Sequence, residues 1–256
     1  MKKRITFFAA LFCIAFSAQS FANDIYAITV YHFTDASQET ALDTYLQTAY
    51  LPALHRKDIK NVGVFKPIAN DTAADKIIYV IVPYKSFDEF MNLPDRLMTD
   101  NLYKTAAASY LNADYKTPPY KRMETIMLTA FPMAPQLTLP SLKSPKAEHI
   151  YELRSYESAT ENYHKSKVKM FNQGGEVSIF KDINANAIFY GDVITGSRMP
   201  NLMYLTSYEN MADRDAHWKS FQDNAEWKKL NTMAEYKNNV SKADIILMHA
   251  ASYSDY

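Results

Sequence analysis

The sequence predicts an α+β protein in which tandem ferredoxin-like β-α-β-β-α-β units close into a pseudo-dimeric α+β barrel. Three observations predict it: the chain can be laid on itself, strand and helix patterns recur in the same order in both halves, and a proline-rich stretch separates them. Ile25 to Tyr31 matches Ile150 to Tyr156, and Val62-Gly63-Val64-Phe65-Lys66 matches Glu176 to Lys181 with the Phe-Lys pairs in register. Ile77 to Tyr84 matches Asn201 to Tyr208, the spacing from Tyr84 to Tyr103 equals that from Tyr208 to Trp227, and Glu124 to Leu128 matches Asp244 to Met248. Five matches in one order mark an internal duplication.

Each copy opens on an alternating, β-rich run, followed by a segment of helical composition, Ala41 to Leu54 in the first and Ala159 to Phe171 in the second, the latter closing at Gly174-Gly175. The second helix of each copy starts after a residue suited to capping backbone N–H groups, Ser86 or Asn210. Strand, helix, strand, strand, helix, strand is the ferredoxin-like order. One such sheet covered by helices on one side leaves its other face bare, and a second sheet in the same chain can cover it. Pro132, Pro135, Pro140 and Pro145 mark an extended linker. The expected organisation is residues 1–22 as an export signal, 23–131 and 148–256 as the two units, and 132–147 as the linker.

Lys2, Lys3 and Arg4 precede an almost wholly apolar run from Ile5 to Phe16, and Ser20, Phe21 and Ala22 supply small residues around a cleavage point. That is the pattern of a secretory signal peptide. The run is well short of the ~20 apolar residues that a membrane-spanning helix needs. The expected location is therefore exported, periplasmic or secreted, with no integral span after cleavage. Cleavage leaves 25 basic against 28 acidic residues and removes Cys13, the single cysteine. Disulfides, a cysteine nucleophile and cysteine-ligated metals are thereby excluded from the mature chain. Near-neutral charge gives no basic stripe for nucleic acid.

Alternation along the first strands sorts their side chains onto two faces. Tyr26, Ile28 and Val30 match Tyr151, Leu153 and Ser155, an apolar set suited to packing under helices. Ala27, Thr29 and Tyr31 match Glu152, Arg154 and Tyr156, which this reading points into the barrel. The second helices differ likewise: Phe90 and Leu93 stand where the second copy has Arg214 and His217. Charges at buried positions are costly unless paired or wet. Glu152 and Arg154 are therefore either an ion pair holding the structure in register or part of a polar cavity with Tyr156 and Tyr204, offering a guanidinium to an anionic or carbonyl ligand. His249 falls on the face expected to look inward, where an imidazole is placed for proton transfer or simply satisfied in a core. Arg214 and His217 border either the core edge or a pocket mouth, with Trp218 and Phe221 as core. The candidate ligand-binding set is Glu152, Arg154, Tyr156, Tyr204, Arg214, His217 and His249, with no catalytic set defined.

His32, His55, His149 and His164 form no metal-binding spacing, and five glycines include no phosphate loop and no nucleophile elbow. No metal and no cofactor is expected. Haem would require a histidine alone on an apolar wall.

Tyr151-Glu152-Leu153-Arg154-Ser155-Tyr156, then Met203 to Asn210, then Arg214 to Trp227 resemble the NIPSNAP family over roughly residues 148–250. The resemblance implies a member of the dimeric α+β barrel superfamily, which includes small monooxygenases, dismutases and haem proteins. It carries no catalytic set, and the amino-terminal copy lacks the Glu-Leu-Arg element. The expected function is binding of a small organic ligand or a protein partner, through a polar cavity or through exposed sheet edges and aromatic surface, with self-association left open. The 19 tyrosines and 14 phenylalanines suit ligand walls and interfaces as well as a core. The alternative is a cofactor-independent monooxygenase- or isomerase-like enzyme, in which Arg154 stabilises a developing oxyanion and His249 or His217 moves a proton.

Overall fold

The computed structural model describes residues 23–256, so the expected signal segment and Cys13 lie outside the described residues. The first half runs β1 (Ile25–Phe33), α1 (Ala36–Tyr45), a π-helical turn (Leu46–Tyr50) leading into α2 (Leu51–His55), β2 (Gly63–Pro67) and β3 (Lys76–Tyr84). It continues with α3 (Phe87–Met98), α4 (Asn101–Ala106), α5 (Ala108–Leu111) and β4 (Arg122–Ala130). The second half runs β5 (Ile150–Glu157), α6 (Glu161–Asn172), α7 (Glu176–Asp182), β6 (Ala187–Thr195), β7 (Asn201–Tyr208), α8 (Met211–Asp223), α9 (Ala225–Leu230) and β8 (Lys242–Ala250). The helix starts follow from local chemistry. Ser86 accepts from the Glu89 N–H and Asn210 from the Asp213 N–H, and Asp100 and Asn224 cap α4 and α9 in the same register.

All eight strands pair antiparallel into a closed barrel ordered β1-β3-β2-β8-β5-β7-β6-β4. Each half contributes a four-stranded ferredoxin-like sheet, and the halves join through β2 with β8 and β4 with β6. Tandem units forming an α+β barrel are therefore the architecture. Closure also corrects one expectation: the strand edges expected as partner surfaces are hydrogen-bonded to each other, so the barrel offers no free edge.

The sequence match of Glu176–Lys181 with Phe65 and Lys66 predicts the second strand of the carboxy-terminal half at that position. Those residues instead form helix α7, and the strand is β6. Glu176, Val177, Ile179 and Phe180 are all buried, and the spacing from Val177 to Phe180 puts both on one helical side. Gly175, at φ 91°, makes the left-handed turn that starts this helix after α6.

The two faces of the sheet are also reversed relative to the sequence reading. Tyr26, Ile28 and Val30 from β1 meet Tyr151 and Leu153 from β5 inside the barrel, with Phe65, Leu128, Phe189, Met203, Leu205 and Met248. The rings interlock: Tyr26 with Phe189 at 4.9 Å, Phe65 with Tyr151 at 4.8 Å and Phe65 with Tyr256 at 5.3 Å between centroids. Gly63 lines this contact, and a Cβ there would sit 2.6 Å from the Tyr256 ring. Ala27 and Tyr31 instead lie under the first half's helices, and Tyr204 under those of the second. Alternation sets which residues share a face, but not which face is inside. A filled lumen has no water to solvate charge, so the polar set goes to the side where helices bring partners.

The segment between β4 and β5 is tied down without regular structure. The Thr138 N–H donates to the Ile188 carbonyl, and the Glu209 carboxylate accepts from the Lys143 and Ser144 N–H groups at 2.9 and 2.7 Å. Those donors favour the charged form and hold Glu209 down to about 2.

Candidate functional site

Glu152 and Arg154 sit two apart on β5 and so face the same side, and β7 places Tyr204 directly opposite Arg154. Helix α8, started by Asn210, lays Arg214 and Trp218 one turn apart over that face. The Glu152 side chain is 0% exposed. One of its oxygens accepts from Arg154 Nε at 2.5 Å, and the other from Arg214 Nε at 2.6 Å and Trp218 Nε1 at 2.9 Å. Arg154 donates a second bond to Tyr156 Oη at 2.9 Å, Tyr156 and Tyr204 share a hydroxyl contact at 2.8 Å, and the guanidinium lies 3.6 Å from the Trp218 ring centre.

Burial opposes the charge on Arg154, yet the surrounding Tyr204, Tyr156 and Glu152 hold its pKa above the usual range. Burial pushes the Tyr204 hydroxyl well up. The hydrogen bond to Glu152 raises Arg214, which reaches the rim and also pairs with Asp215 at 2.8 Å. The arrangement is a clamp: one carboxylate joins two cations and an indole, fixing β5 to α8.

A second charged pair extends it. Lys167 on α6 and Glu176 on α7, with side chains only 5% and 3% exposed, are 2.8 Å apart. The ammonium lies 4.7 Å from the Phe171 ring, 5.6 Å from Tyr156 and 5.8 Å from Trp227. Burial raises Glu176, against the pull of Lys167 and Arg154. Sequence reasoning misses this pair, although Lys167 shares a helical side with buried Met170 and Phe171, a lysine where an apolar residue would ordinarily stand.

The structure thus brings together Glu152, Arg154, Tyr156, Tyr204 and Arg214, but under the helices and not in the barrel lumen where the sequence reading puts them. Trp218, plain core by sequence pattern, is a hydrogen-bond donor and the lid over Arg154. His217 is held apart from the clamp: its Nδ1 faces the Asp213 carbonyl at 2.9 Å and the Asp213 carboxylate at 3.2 Å, and its ring lies 5.7 Å from Tyr208. His249 does not face inward. It is exposed, with Nδ1 2.9 Å from the His149 carbonyl, because its neighbour Met248 takes the lumen. The lumen cluster is apolar, and the buried His149 sets its ring 6.4 Å from that of the lumen residue Tyr151. Among the described residues, no three His, Cys, Asp or Glu side chains gather as a metal site.

Two open clefts lie elsewhere. One of about 520 Å³ is bounded by α1, α5 and Pro118-Pro119, with Gln38, Thr44, Tyr110 and Lys116 on its walls. Another of about 520 Å³ lies among α6, α7 and α9, lined by Lys169, Ser178, Lys229 and Tyr236. None of the seven candidate residues lines either.

The model of the NIPSNAP family matches residues 151–255. These residues form a NIPSNAP domain. The clamp lies wholly within this NIPSNAP domain, while the amino-terminal half is its structural counterpart in the barrel. The whole chain is similar in fold to a proposed monooxygenase from Fusobacterium nucleatum, with TM-score 0.56 and 10% identity, covering 90% of this chain and 93% of that one. A proposed monooxygenase from Lactobacillus acidophilus gives TM-score 0.58 and 12% identity over 89% and 94% of the two chains. An uncharacterized NIPSNAP-like domain protein from Burkholderia xenovorans is 18% identical, covering 42% of this chain and 90% of that one, with TM-score 0.37. No curated protein matches the chain significantly in sequence. At these identities the likeness to solved structures speaks for the fold alone.

Proposed function

We infer that the protein is an exported NIPSNAP-barrel binding protein, taking a small organic ligand or a protein partner on its helical exterior and performing no chemistry in the barrel. The observation that carries this reading is the anchoring of Arg154: Nε on Glu152, Nη1 on Tyr156, and its plane on Trp218, which fix the guanidinium with two of its five N–H donors engaged. An oxyanion-stabilising role requires donors aimed at empty space where charge develops. The oxygenase-like alternative also needs a nearby proton carrier, but His249, on the same outer face of the sheet, stands four residues along β8 from Ile245, the cross-strand partner of Arg154, with its Nδ1 2.9 Å from the His149 carbonyl, while His217 is engaged by Asp213. Export rests on the charged start and apolar run of residues 1–22. Among the described residues, no helix is long and apolar enough to cross a membrane.

Native mass spectrometry of the protein purified from its own host tests the reading. The expected result is a chain lacking residues 1–22 that carries a co-purifying small molecule or protein. A chain retaining those residues, with neither ligand nor partner, contradicts it.

A further inference from the structure

Helices α3–α4 and α8–α9 are the two copies of one element, in register from cap to cap, and they are dressed differently. Along α3, Phe87, Met91, Pro94 and Met98 follow one another at spacings of three or four on one outward side, and Leu102 is exposed in the first turn of α4, just past the break at Thr99–Asp100. All are solvent-exposed, Met91 at 57%, Met98 at 52% and Leu102 at 67%. The same positions of the second copy hold Met211, Asp215, Trp218, Gln222 and Glu226. There the only large ring, Trp218, is spent on Glu152 and Arg154. One fold position thus carries a polar surface in one half and an apolar strip in the other, so the fold itself does not require the strip.

The border of the strip differs too. Asp88 and Asp95 run along one side of it, exposed and with no hydrogen-bond or ion-pair partner among the described residues. The matching positions hold Ala212 and Lys219, the latter paired with Asp223. We propose that the α3–α4 strip is a docking surface for a cationic amphipathic helix of another protein, whose apolar side covers Phe87, Met91, Met98 and Leu102 and whose Lys or Arg side chains meet Asp88 and Asp95.

The charges select this occupant. A second copy packed antiparallel along the same strip would set its own Asp88 and Asp95 against these, and anionic lipid would be repelled by them. The α3 part of the strip is one helix wide, ~10 Å, and at ~1.5 Å rise per residue ~17 Å long, an area of roughly 170 Å². That is well below the ~800 Å² per partner of a standard stable interface, so the contact is transient and salt-sensitive. This proposal deepens the binding reading above and rests on it.

The probe is a fluorescein-labelled helical peptide of about 18 residues, enough to span the strip, with Leu along one side and Lys along its border, compared with a twin carrying Glu for Lys. Fluorescence anisotropy should show micromolar binding of the Lys peptide to the full chain, at least tenfold weaker binding of the Glu twin, and several-fold weakening on raising salt to about 0.3 M. Met91→Asp, Met98→Gln and Leu102→Glu together should weaken the Lys peptide at least tenfold. These are the residues the other copy already carries in that register, and an unchanged unfolding midpoint shows that the variant folds. Asp88→Asn with Asp95→Asn should weaken it several-fold and flatten the salt dependence.

Equal affinity for both peptides, or no binding of either, overturns the proposal. So does dimerisation in sedimentation that the triple substitution abolishes, which would assign the strip to a second copy. Binding to phosphatidylcholine vesicles that the same substitution abolishes would assign it to lipid. A co-purifying small molecule retained by the triple variant would leave the general binding reading standing even where the peptide fails.

Discussion

Replacing Glu152 with Gln keeps the shape of the side chain and removes its charge, so the expected loss is electrostatic, free of a cavity contribution. Glu152 is the shared counter-ion of Arg154 and Arg214 and the acceptor for Trp218. Arg214, with 19% of its side chain exposed, rehydrates and keeps Asp215. Arg154, at 12%, does neither, and the Gln amide must turn an N–H toward one of the two guanidiniums. Breaking a buried ion pair by removing one partner costs about 3–5 kcal/mol, and partial solvation of Arg214 puts this substitution near the lower end. At ~2–4 °C per kcal/mol for a chain of this size, the midpoint of thermal unfolding should fall by ~6–12 °C. Urea denaturation followed by tryptophan fluorescence measures the same loss. Adding Arg154→Met removes the stranded cation and should recover at least half of it, because a buried pair exchanged for apolar side chains is often close to neutral. A loss below ~1 kcal/mol in the single variant, or a double variant less stable than the single, would refute the clamp. A gain in stability from Glu152→Gln would point instead to a carboxylate held at a cost to folding for some other purpose.

The hydroxyls of Tyr26 and Tyr151 are buried in the barrel without partners, so Tyr26→Phe and Tyr151→Phe should each raise stability by up to ~1 kcal/mol in urea titration; a loss would mean that the hydroxyl holds a bound water or ligand. Lys167→Met strands Glu176, whose folded pKa already lies above its ordinary value near 4.5. A raised carboxyl gives stability that is full below that value and lost as pH rises through the folded pKa, so the variant should lose stability as pH rises above 4.5, and a flat profile would show Glu176 to be indifferent. Glu209 has the opposite sign: depressed to about 2, it stabilises above 4.5 and loses this as pH falls toward 2. Protection against hydrogen exchange at the Lys143 and Ser144 amides, taken relative to the intrinsic rate at each pH, should fall over that window in the wild type and be low at all pH values in Glu209→Ala.

Duplication makes most of the architecture legible in the amino-acid sequence, because capping residues and strand parity repeat in register: Ser86 with Asn210, Tyr84 with Tyr208, and Tyr103 with Trp227. The inside of the barrel is not legible in the same way. Tyr26 and Ala27 are both apolar enough for either face, and a sequence pattern that points charge toward a cavity contains no sign of the partners that α8 brings to Glu152. Helix α7 reads as a strand on a Phe-Lys pair alone, since Val177 and Phe180 suit a helical side as readily as a β run. The pair of Lys167 and Glu176 joins two helices around a glycine turn, a contact that no short spacing announces. Arg154 illustrates the same limit in the site: its residue type announces a chemical role, and its three engagements are visible only in three dimensions.

The central claim is that Arg154 is held in place by its own chain and that the barrel is filled by its own side chains. A high-resolution crystal structure of the protein isolated from its native host measures this most directly. The account predicts Arg154 seated between Glu152, Tyr156 and Trp218, with Tyr26, Phe65, Tyr151 and Phe189 packed together inside the barrel. Electron density for a bound molecule in the barrel, or against Arg154 with the guanidinium turned away from Glu152, would contradict it.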